Sequence, residues 1–534
     1  MRHLWVAVIL IGVVCLLYAN TFGSSLVWDD EYLIAKNRYL ESWRYLPEIF
    51  QSSLHQFAPV RSNYYRPLQT VSFLLDRAIW HDAPWGYHLT NVLLHGLVGL
   101  LGYFLAGALG AGSFAAFLIG LCFIVHPIHT EAVSYISGRA DSLAAVWILL
   151  SLLSFNRFHT SHRHPWSYIA ALLFFFFSLL SKEIALALPF LLILLLWYRK
   201  ETKRWTSILP FFLFLVLYGI LRRTLLDFRL DPFPKETTSF WLRGKVTLES
   251  LFLYLKLILF PFPLHLERHL SYEGPFWKGE FLAGFFVAML LVLLFLRSRE
   301  KRKFLFGLGW FAIFFLPTSS LILKTDRVAE HFIYLAYLGI LLAIFSGPLP
   351  EKRVVGGIAG IFVLSFSFLT IRQNRVWKDP EAFYRHTLRY APKSWTALNN
   401  LGSLLEKKRE WREAEFLLKE ATALKPRRAE AYSNLATLFL KKRELAKAQT
   451  LYRRALHLRP GEAELHHNLG SVYRLEGKWN EAVKEYRLAL DIDPGLVESH
   501  YFLAKTYETM GEKTLAEMEY RYLKKRGLRI EILK

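Results

Sequence analysis

The sequence predicts an all-α protein of two unlike parts: a bundle of helices that crosses a membrane many times, and a C-terminal solenoid of helical repeats. Residues 1–371 consist mainly of Leu- and Phe-rich apolar runs separated by short charged turns. Residues 372–534 are rich in Lys, Glu, Arg and Ala, and proline returns there every 34 residues. Both parts have ample apolar residues to bury, so we expect both to fold.

Eleven apolar stretches of the first part predict membrane spans, since a helix needs about 20 apolar residues to cross a bilayer, or slightly fewer with snorkelling flanks. No small-x-small cleavage site is obvious near Ala19, so we interpret the first stretch as a retained helix and not a signal peptide. The predicted spans are 4–21, 87–109, 112–128, 140–157, 166–180, 184–199, 206–222, 279–296, 304–322, 331–347 and 354–371.

The apolar stretch 245–263 is ambiguous because Pro261, Pro263 and nearby charges interrupt it. We predict a re-entrant or interfacial hairpin, which is tolerated where protein covers the backbone. Counting the stretch as a span would break the alternation of the later basic loops.

Those basic loops predict the orientation. With eleven spans, the Arg- and Lys-rich segments 157–163, 199–204, 297–303 and 352–353 fall on one face, which the positive-inside rule makes cytoplasmic. The N-terminus is then cytoplasmic. The first outer loop, 22–86, and the repeat domain lie on the periplasmic, extracellular or lumenal side.

The formal charge of +22 does not indicate nucleic-acid binding. Much of the excess lies at span ends and no recognition motif accompanies it, so we predict no nucleic-acid partner. Cys15 and Cys122 fall inside apolar spans, and we expect them to act as small hydrophobic side chains.

The predicted outer face collects unusual polar residues. The adjacent acids Asp29 and Asp30 follow the first span, and carboxylates at a bilayer rim are costly unless they are solvated or used. Charged residues beside spans are often only helix ends in water. Here, however, the charged residues share one face, and such a face suits an anionic headgroup whose tail lies in the bilayer. The other candidates on this face are Arg66, His129, Arg139, Asp141, Lys182, Glu183, Arg327, Glu330 and His331.

No metal site or other cofactor is firmly predicted. Oxygen ligands suit Mg²⁺ or Mn²⁺, so a loosely held divalent cation on Asp29 and Asp30 stays open. His126 and His129 share a helix face, but two histidines without a third ligand are weak evidence for zinc.

The second part repeats four times without a slip of register. One position is always proline and another always alanine: Pro392, Pro426, Pro460 and Pro494, and Ala414, Ala448, Ala482 and Ala516. A 34-residue period with small residues at fixed places in two helices is the tetratricopeptide (TPR) pattern. Residues 378–391 resemble the second helix of a preceding half-repeat.

TPR arrays form concave grooves for peptides or partner proteins, although a rigid spacer without a ligand is the simpler alternative. The predicted groove residues lie on the first helices of the repeats: Trp395, Asn399, Tyr432, Asn434, His467 and Asn468.

In its motifs and their order, the chain resembles the transmembrane, TPR-containing O-mannosyltransferases of the GT-C superfamily. The motifs are VWDD at 27–30, YRPL at 65–68, GYHLTNVLLH at 86–95, HPIHTEAV at 126–133, GRAD at 138–141, SKE at 181–183 and AEHFIYL at 329–335. The resemblance implies transfer of mannose from a polyprenyl-phosphate donor, dolichyl- or undecaprenyl-linked, to Ser or Thr of a secretory protein. The short array favours a bacterial or archaeal plasma membrane over the endoplasmic reticulum.

The chemistry suggests roles for the candidates. A Ser or Thr hydroxyl needs a base, for which Asp29 or Asp30 is predicted. The leaving lipid phosphate needs cations, and direct displacement inverts the anomeric centre. The predicted cations are Arg66, Arg139, Lys182 and Arg327, with His129 and His331 as donors and with Asp141 and Glu183 orienting Arg139 and Lys182.

Two other functions remain open. An O-antigen-ligase or polymerase type of enzyme can also carry TPRs, but it generally places its key Arg and His in a large late loop. A membrane-anchored TPR scaffold without chemistry would not need Asp29, Arg139 or Lys182.

Overall fold

The computed structural model describes residues 1–57, 63–160, 164–224, 239–270, 279–323, 327–345 and 352–526. In these ranges the secondary structure is helical except for one two-residue antiparallel pairing, so the all-α prediction is confirmed. The pairing joins β1, Arg268–His269, to β2, Arg327–Val328. The chain forms two compact units, Met1–Phe383 and Tyr384–Lys534.

The α-helices of the first unit alternate with short helical turns. They are α1 Arg2–Tyr18, α2 Leu46–Ile49, α3 Pro67–Trp80, α4 Pro84–Ala108, α5 Ser113–Val125, α6 Thr130–Val133, α7 Arg139–Thr160, α8 Pro165–Leu179, α9 Leu188–Arg199, α10 Leu209–Thr224, α11 Phe240–Leu259, α12 Gly279–Arg297, α13 Lys301–Phe315, α14 Ser320–Leu323, α15 Ala336–Ile344 and α16 Lys352–Asn374. The turns that matter for the site are Glu31–Ala35, Pro127–His129, Ile136–Gly138, Glu183–Ala187 and Glu330–Ile333.

Several of these helices can cross a membrane. In the described part, six helical segments are long and apolar enough: Arg2–Thr21, Pro84–Ala108, Ile136–Thr160, Thr202–Thr224, Lys301–Ile322 and Val354–Trp377. A seventh results if Ser113–Val125 and Pro127–Val133, which meet at a bend of 51°, are one span. The number is below the eleven predicted spans because other predicted spans form shorter helices, such as α8, α9 and α15.

The stretch 245–263 does not form the predicted hairpin. It lies largely within α11, a continuous helix of 20 residues from Phe240 to Leu259. The chain leaves the helix just before Pro261, since proline ends a helix and disfavours helical geometry in the residue before it.

Small residues let the membrane helices approach closely. A Cβ on Gly99 of α4 would lie 3.2 Å from the carbonyl oxygen of Gly120 on α5. A Cβ on Gly307 of α13 would lie 2.5 Å from the carbonyl oxygen of Gly339 on α15. Between helices in lipid, such close packing stabilises association because lipid tails are as apolar as the side chains.

The second unit contains four helix pairs, as the 34-residue period predicts. A single helix, α17 Pro380–Tyr390, precedes them at the position of the predicted half-repeat. The four repeated alanines are buried between the paired helices. The pairs are α18 Trp395–Lys407 with α19 Trp411–Leu424, α20 Ala429–Lys441 with α21 Leu445–Leu458, α22 Ala463–Leu475 with α23 Trp479–Ile492, and α24 Val497–Met510 with α25 Lys513–Lys525.

Candidate functional site

Asp30 is buried and ties the first outer loop to the turn Ile136–Gly138. Its Oδ1 accepts hydrogen bonds from the backbone N–H and the hydroxyl of Ser137, at 2.9 and 2.5 Å. Its Oδ2 accepts from the N–H of Val27 at 3.0 Å. Burial raises the pKa of Asp30 to about 7, although these hydrogen bonds oppose the shift. Both oxygens are therefore engaged within the protein.

Asp29 has a different environment. Its side chain is 34% exposed, and its Oδ2 lies 3.7 Å from Nε2 of His55. Its carbonyl accepts the N–H groups of Tyr32 and Leu33, which starts the turn Glu31–Ala35. Of the two acids, Asp29 is thus the one that a hydroxyl from solvent can reach.

A chain of side chains connects Asp29 to the basic residues. The His55 ring lies 6.1 Å from the Tyr64 ring, and the Arg66 guanidinium lies 4.5 Å from the Tyr64 ring centre. Arg66 donates from Nε and Nη2 to Oε2 of Glu183, at 2.9 and 2.8 Å. No sequence signal selects His55, because a single histidine inside a long loop has no motif around it.

Lys182 pairs with Asp141 next to the Arg66–Glu183 pair. Nζ of Lys182 donates to Oδ1 of Asp141 at 2.6 Å, and Asp141 lies in the first turn of α7. Burial raises the pKa of Glu183, but the Arg66 guanidinium outweighs it and holds that pKa below its usual value. We call Arg66, Lys182, Asp141 and Glu183 the charged cluster.

Arg139 lies outside this cluster and is fully buried. It forms an ion pair with Asp76 of α3 and connects α3, α4 and α7, so the expected exposure to a lipid phosphate is not observed. Asp141 and Glu183 hold Lys182 and Arg66, and not Arg139. The other groups around the guanidinium are Oδ1 of Asn91 at 2.6 Å, the carbonyl oxygens of Tyr87 and Ser72 at 2.9 and 3.2 Å, and the Phe73 ring at 4.6 Å.

Glu330 and His331 belong to a second polar group, built on α6. Nδ1 and the N–H of His331 face the two carboxylate oxygens of Glu131, at 2.7 and 3.0 Å. Glu330 accepts from Arg268 at 2.7 Å. Burial raises the pKa of Glu330 to about 7, with Arg268 opposing the shift and Glu131 adding to it. Only the backbone of Arg327 is described, and it pairs with His269.

His129 lies in the aromatic core of the membrane unit. Its ring is buried among those of His95, Phe123 and Tyr334, at 5.3, 4.5 and 4.8 Å. His126 uses both nitrogens within the protein: Nδ1 accepts from the N–H of Ile128, and Nε2 donates to the carbonyl of Ile258. With no lone pair to spare, His126 does not fit a zinc ligand.

The acid pair does not fit a divalent cation well either. A metal on Asp30 would displace the donors of Ser137 and Val27 from its oxygens. In the part of the chain that the structure describes, no three His, Cys, Asp or Glu side chains are grouped to hold a metal ion.

In the repeat unit, amides of neighbouring repeats meet. Nδ2 of Asn434 donates to Oδ1 of Asn399 at 2.9 Å, and Nδ1 of His467 lies 2.9 Å from the hydroxyl of Ser499. Tyr432 and Asn468 are half-buried on the same first helices. Trp395 contacts a different group: its ring lies 5.1 Å from the guanidinium of Arg428, at the end of the same repeat.

Comparisons with known proteins support both the predicted repeats and the predicted family resemblance. A family model for the tetratricopeptide repeat matches residues 399–458, and a TPR repeat model matches residues 470–511. Mouse protein O-mannosyl-transferase TMTC2 is 43% identical over 151 residues, 28% of this chain and 18% of the relative. Drosophila Tmtc1 is 35% identical over 173 residues, 32% of this chain and 20% of the relative.

A longer match is to protein O-mannosyl-transferase F38B6.6 of Caenorhabditis elegans, 26% identical over 416 residues, which cover 74% of this chain and 59% of the relative. The chain thus spans about a fifth of the length of the first relatives and well over half of this one. The predicted resemblance is confirmed: the chain is similar to proteins named protein O-mannosyl-transferases, and it carries tetratricopeptide repeats at its C-terminal end.

Proposed function

We propose that the protein transfers mannose from a polyprenyl-phosphate donor to a Ser or Thr hydroxyl of a protein acceptor, at the non-cytoplasmic face of its membrane. The observation that supports this most is the accessible carboxylate of Asp29, joined through His55 and Tyr64 to Arg66 of the charged cluster. An acid that connects through two side chains to paired cations suits a hydroxyl acceptor and a lipid phosphate.

Asp29 is the base in this proposal. As the acceptor oxygen attacks the anomeric carbon, its proton moves to Asp29 and the bond from that carbon to the phosphate oxygen breaks. One displacement inverts the anomeric centre, and polyprenyl phosphate leaves. Asp30 does not reach the hydroxyl; it holds the loop that carries Asp29, through Ser137 and Val27.

The leaving phosphate gains negative charge, and preorganised cations stabilise that charge. Arg66 and Lys182 supply this positive charge. Glu183 and Asp141 hold them in position. His331, half-buried and held by Glu131, is a further candidate donor in this proposal.

The repeat unit, in this proposal, binds the acceptor or a partner protein along the first helices of the repeats. The relatives described above come from animals, so they lend no support to a bacterial or archaeal membrane. We therefore name the donor only by its class, a polyprenyl-phosphate sugar.

The decisive experiment replaces Asp29 in the full-length protein. Asp29→Asn keeps size and polarity but cannot accept the proton, so we expect transfer to fall by roughly 10²–10⁴-fold, with donor binding unchanged. The measurement is mannose transfer from labelled polyprenyl-phosphate mannose to a co-expressed secreted protein, read by mass spectrometry.

The matched control is Glu31→Gln. Glu31 is an exposed acid two residues away that pairs with Lys36 at 2.8 Å, and its replacement leaves transfer unchanged. Full transfer by Asp29→Asn, expressed at the level of the wild type, contradicts the proposed base. No transfer by the wild type favours the scaffold alternative.

A further inference from the structure

Trp28, directly before the two acids, has a backbone conformation that tryptophan rarely adopts. Its φ is 56°, in the left-handed region, where the Cβ of an L-residue crowds a backbone carbonyl oxygen. Glycine, asparagine and aspartate are the residues usually found there. A bulky aromatic residue keeps this conformation only where its surroundings hold it.

The conformation belongs to a tight turn at residues 27–30. The N–H of Asp30 donates to the carbonyl of Val27 at 3.2 Å, and Oδ2 of Asp30 accepts from the N–H of Val27 at 3.0 Å. Trp28 is the second residue of this turn, and a positive φ there characterises the mirror-image turn types. Asp29 is the third residue and lies at the tip of the turn with an accessible side chain, while Asp30 is buried.

The ring of Trp28 holds the turn in place. It stacks against Tyr135 at 5.9 Å and against Phe383 at 6.2 Å, with angles of 22° and 24° between the ring planes. Trp377 stacks on both of these rings in turn, at 5.3 and 4.9 Å. All three partners are buried. Such contacts stabilise beyond the area that they bury, so the stack offsets the cost of the left-handed backbone.

This turn fixes the backbone of Asp29 on one side, and the next turn fixes it on the other. The N–H groups of Tyr32 and Leu33 both donate to the Asp29 carbonyl, at 3.0 and 2.9 Å. The φ of Trp28 therefore decides the direction in which the Asp29 side chain leaves the chain. A base acts only within hydrogen-bond reach of the proton that it accepts, so this direction matters for transfer.

We infer that Trp28 is a positioning residue: its stacked ring keeps the backbone of residue 28 left-handed, and this conformation directs the carboxylate of Asp29 to the acceptor hydroxyl. The inference rests on the proposed function, in which Asp29 is the base. It gives the tryptophan a role that acts through the backbone and not through contact with the sugar.

The test separates the ring from the backbone by variants of Trp28 in the full-length protein. Trp28→Ala removes the ring and keeps a Cβ that disfavours a positive φ. A base misplaced by about 1 Å costs up to about 10²-fold in rate, so we expect transfer to fall by roughly 10- to 100-fold. Trp28→Gly also lacks the ring but adopts a positive φ without strain, and we expect it to transfer about fivefold faster than Trp28→Ala.

Two further variants extend the series. Trp28→Asn has no aromatic ring but tolerates the left-handed region, and it is expected to fall between Trp28→Gly and Trp28→Ala. Trp28→Phe keeps a ring in the stack and is expected to transfer within about threefold of the wild type. The matched control is Trp43→Ala, at a half-exposed tryptophan of the same loop, which leaves transfer unchanged.

Donor binding distinguishes positioning from loss of the fold. The loop of each Trp28 variant stays tied by Ser25, whose N–H donates to the Lys378 carbonyl at 2.9 Å, and by the bonds of Asp30 to Ser137. Binding of undecaprenyl phosphate in nanodiscs is therefore expected to match the wild type, so that kcat falls while KM for the donor stays. In an Asp29→Asn background, Trp28→Ala lowers transfer no further, because no base remains to be positioned.

Three outcomes overturn the inference: full transfer by Trp28→Ala, equally reduced transfer by Trp28→Gly and Trp28→Ala, which shows that the ring itself acts, or loss of donor binding in parallel with loss of transfer. Full transfer by Asp29→Asn, or none by the wild type, contradicts the proposed function itself. Loss of transfer in Asp29→Asn with full transfer in Trp28→Ala contradicts only the role of Trp28.

Discussion

Two adjacent carboxylates, Asp29 and Asp30, differ in what surrounds them. Asp30 is 1% exposed, and both of its oxygens accept hydrogen bonds from Ser137 or Val27. Asp29 keeps an accessible oxygen near His55. Consecutive side chains on an irregular turn point in different directions, so one acid can hold the loop while its neighbour meets the substrate.

The buried acid predicts a dependence of stability on pH. The pKa of Asp30 is raised from 3.8 to about 7 in the folded protein, so the folded state holds this proton more tightly than the unfolded state. The stabilisation from Asp30 is then full below about pH 4 and is lost as the pH rises to about 7. We expect Asp30→Asn to remove this part of the decline.

The measurement is thermal unfolding of the full-length protein in detergent between pH 4 and pH 8. Glu330, whose pKa is also raised to about 7, contributes a decline of its own, so the difference between variant and wild type is the quantity to compare. The wild type is the reference for this slope, because the charge of Asp29 contributes to the raised pKa of Asp30 and its replacement would alter the same decline. If the unfolding temperature of Asp30→Asn declines with pH as steeply as that of the wild type, Asp30 does not titrate in this range.

At the scale of the helices, the four repeats end their first helices with the same left-handed turn. One residue just past each helix, at the same place in the 34-residue period, has a positive φ: 64° at Arg409, 63° at Arg443, 74° at Gly477 and 82° at Gly511. This left-handed conformation lets the chain leave the helix and suits glycine, which has no Cβ. The first two repeats therefore carry a strain that the last two avoid.

Arg409→Gly and Arg443→Gly are expected to stabilise their turns. The strain of a side chain in this conformation is roughly 1–2 kcal/mol, partly offset because glycine loses more entropy on folding, so the net gain is below about 1 kcal/mol. Both arginines are exposed, and their side chains add little packing. Hydrogen exchange of the helices that flank each turn, in the full-length protein, measures the gain.

The reverse substitution serves as the comparison. Gly477→Ala places a Cβ in the left-handed region and is expected to lower protection of α22 and α23 by a similar amount. Increased exchange in Arg409→Gly is the outcome that contradicts strain at this turn.

At the scale of the whole molecule, a stack of aromatic rings fastens the end of the membrane unit to the acidic loop. The Trp28 and Tyr135 rings lie 5.9 Å apart, those of Tyr135 and Trp377 5.3 Å, and those of Trp377 and Phe383 4.9 Å. Trp28 directly precedes the two acids. The first unit therefore needs residues up to Phe383 and not only the predicted membrane part, 1–371, to keep this loop in place.

Truncation after Phe383 tests the role of the repeats. This variant retains the stack, so we expect binding of undecaprenyl phosphate to persist while transfer to a protein acceptor falls. Truncation after residue 371 removes Trp377 and Phe383 and is expected to reduce donor binding as well. Undiminished protein transfer after truncation at Phe383 indicates that the repeats are only a spacer.

Periodicity and apolar runs were sufficient to predict the helices and the repeats. The 34-residue period predicts α18 to α25 because each repeat is a local unit whose prolines and alanines occupy fixed places. Motifs placed Asp29, Arg66, Lys182 and Glu183 among the candidates. The hairpin predicted at 245–263 is wrong, because Pro261 and Pro263 follow the end of α11 and do not interrupt it.

The sequence by itself determined which residue types are available at the outer ends of the helices, because hydropathy and repeat period are local properties of the chain. Only the tertiary structure decided which acid meets which cation: Glu183 with Arg66, Asp141 with Lys182, and Asp76 with Arg139. These partners lie far apart along the chain, and the cost of a buried, unpaired charge depends on the packing around it. The same packing buries Arg139 and brings His55 to Asp29.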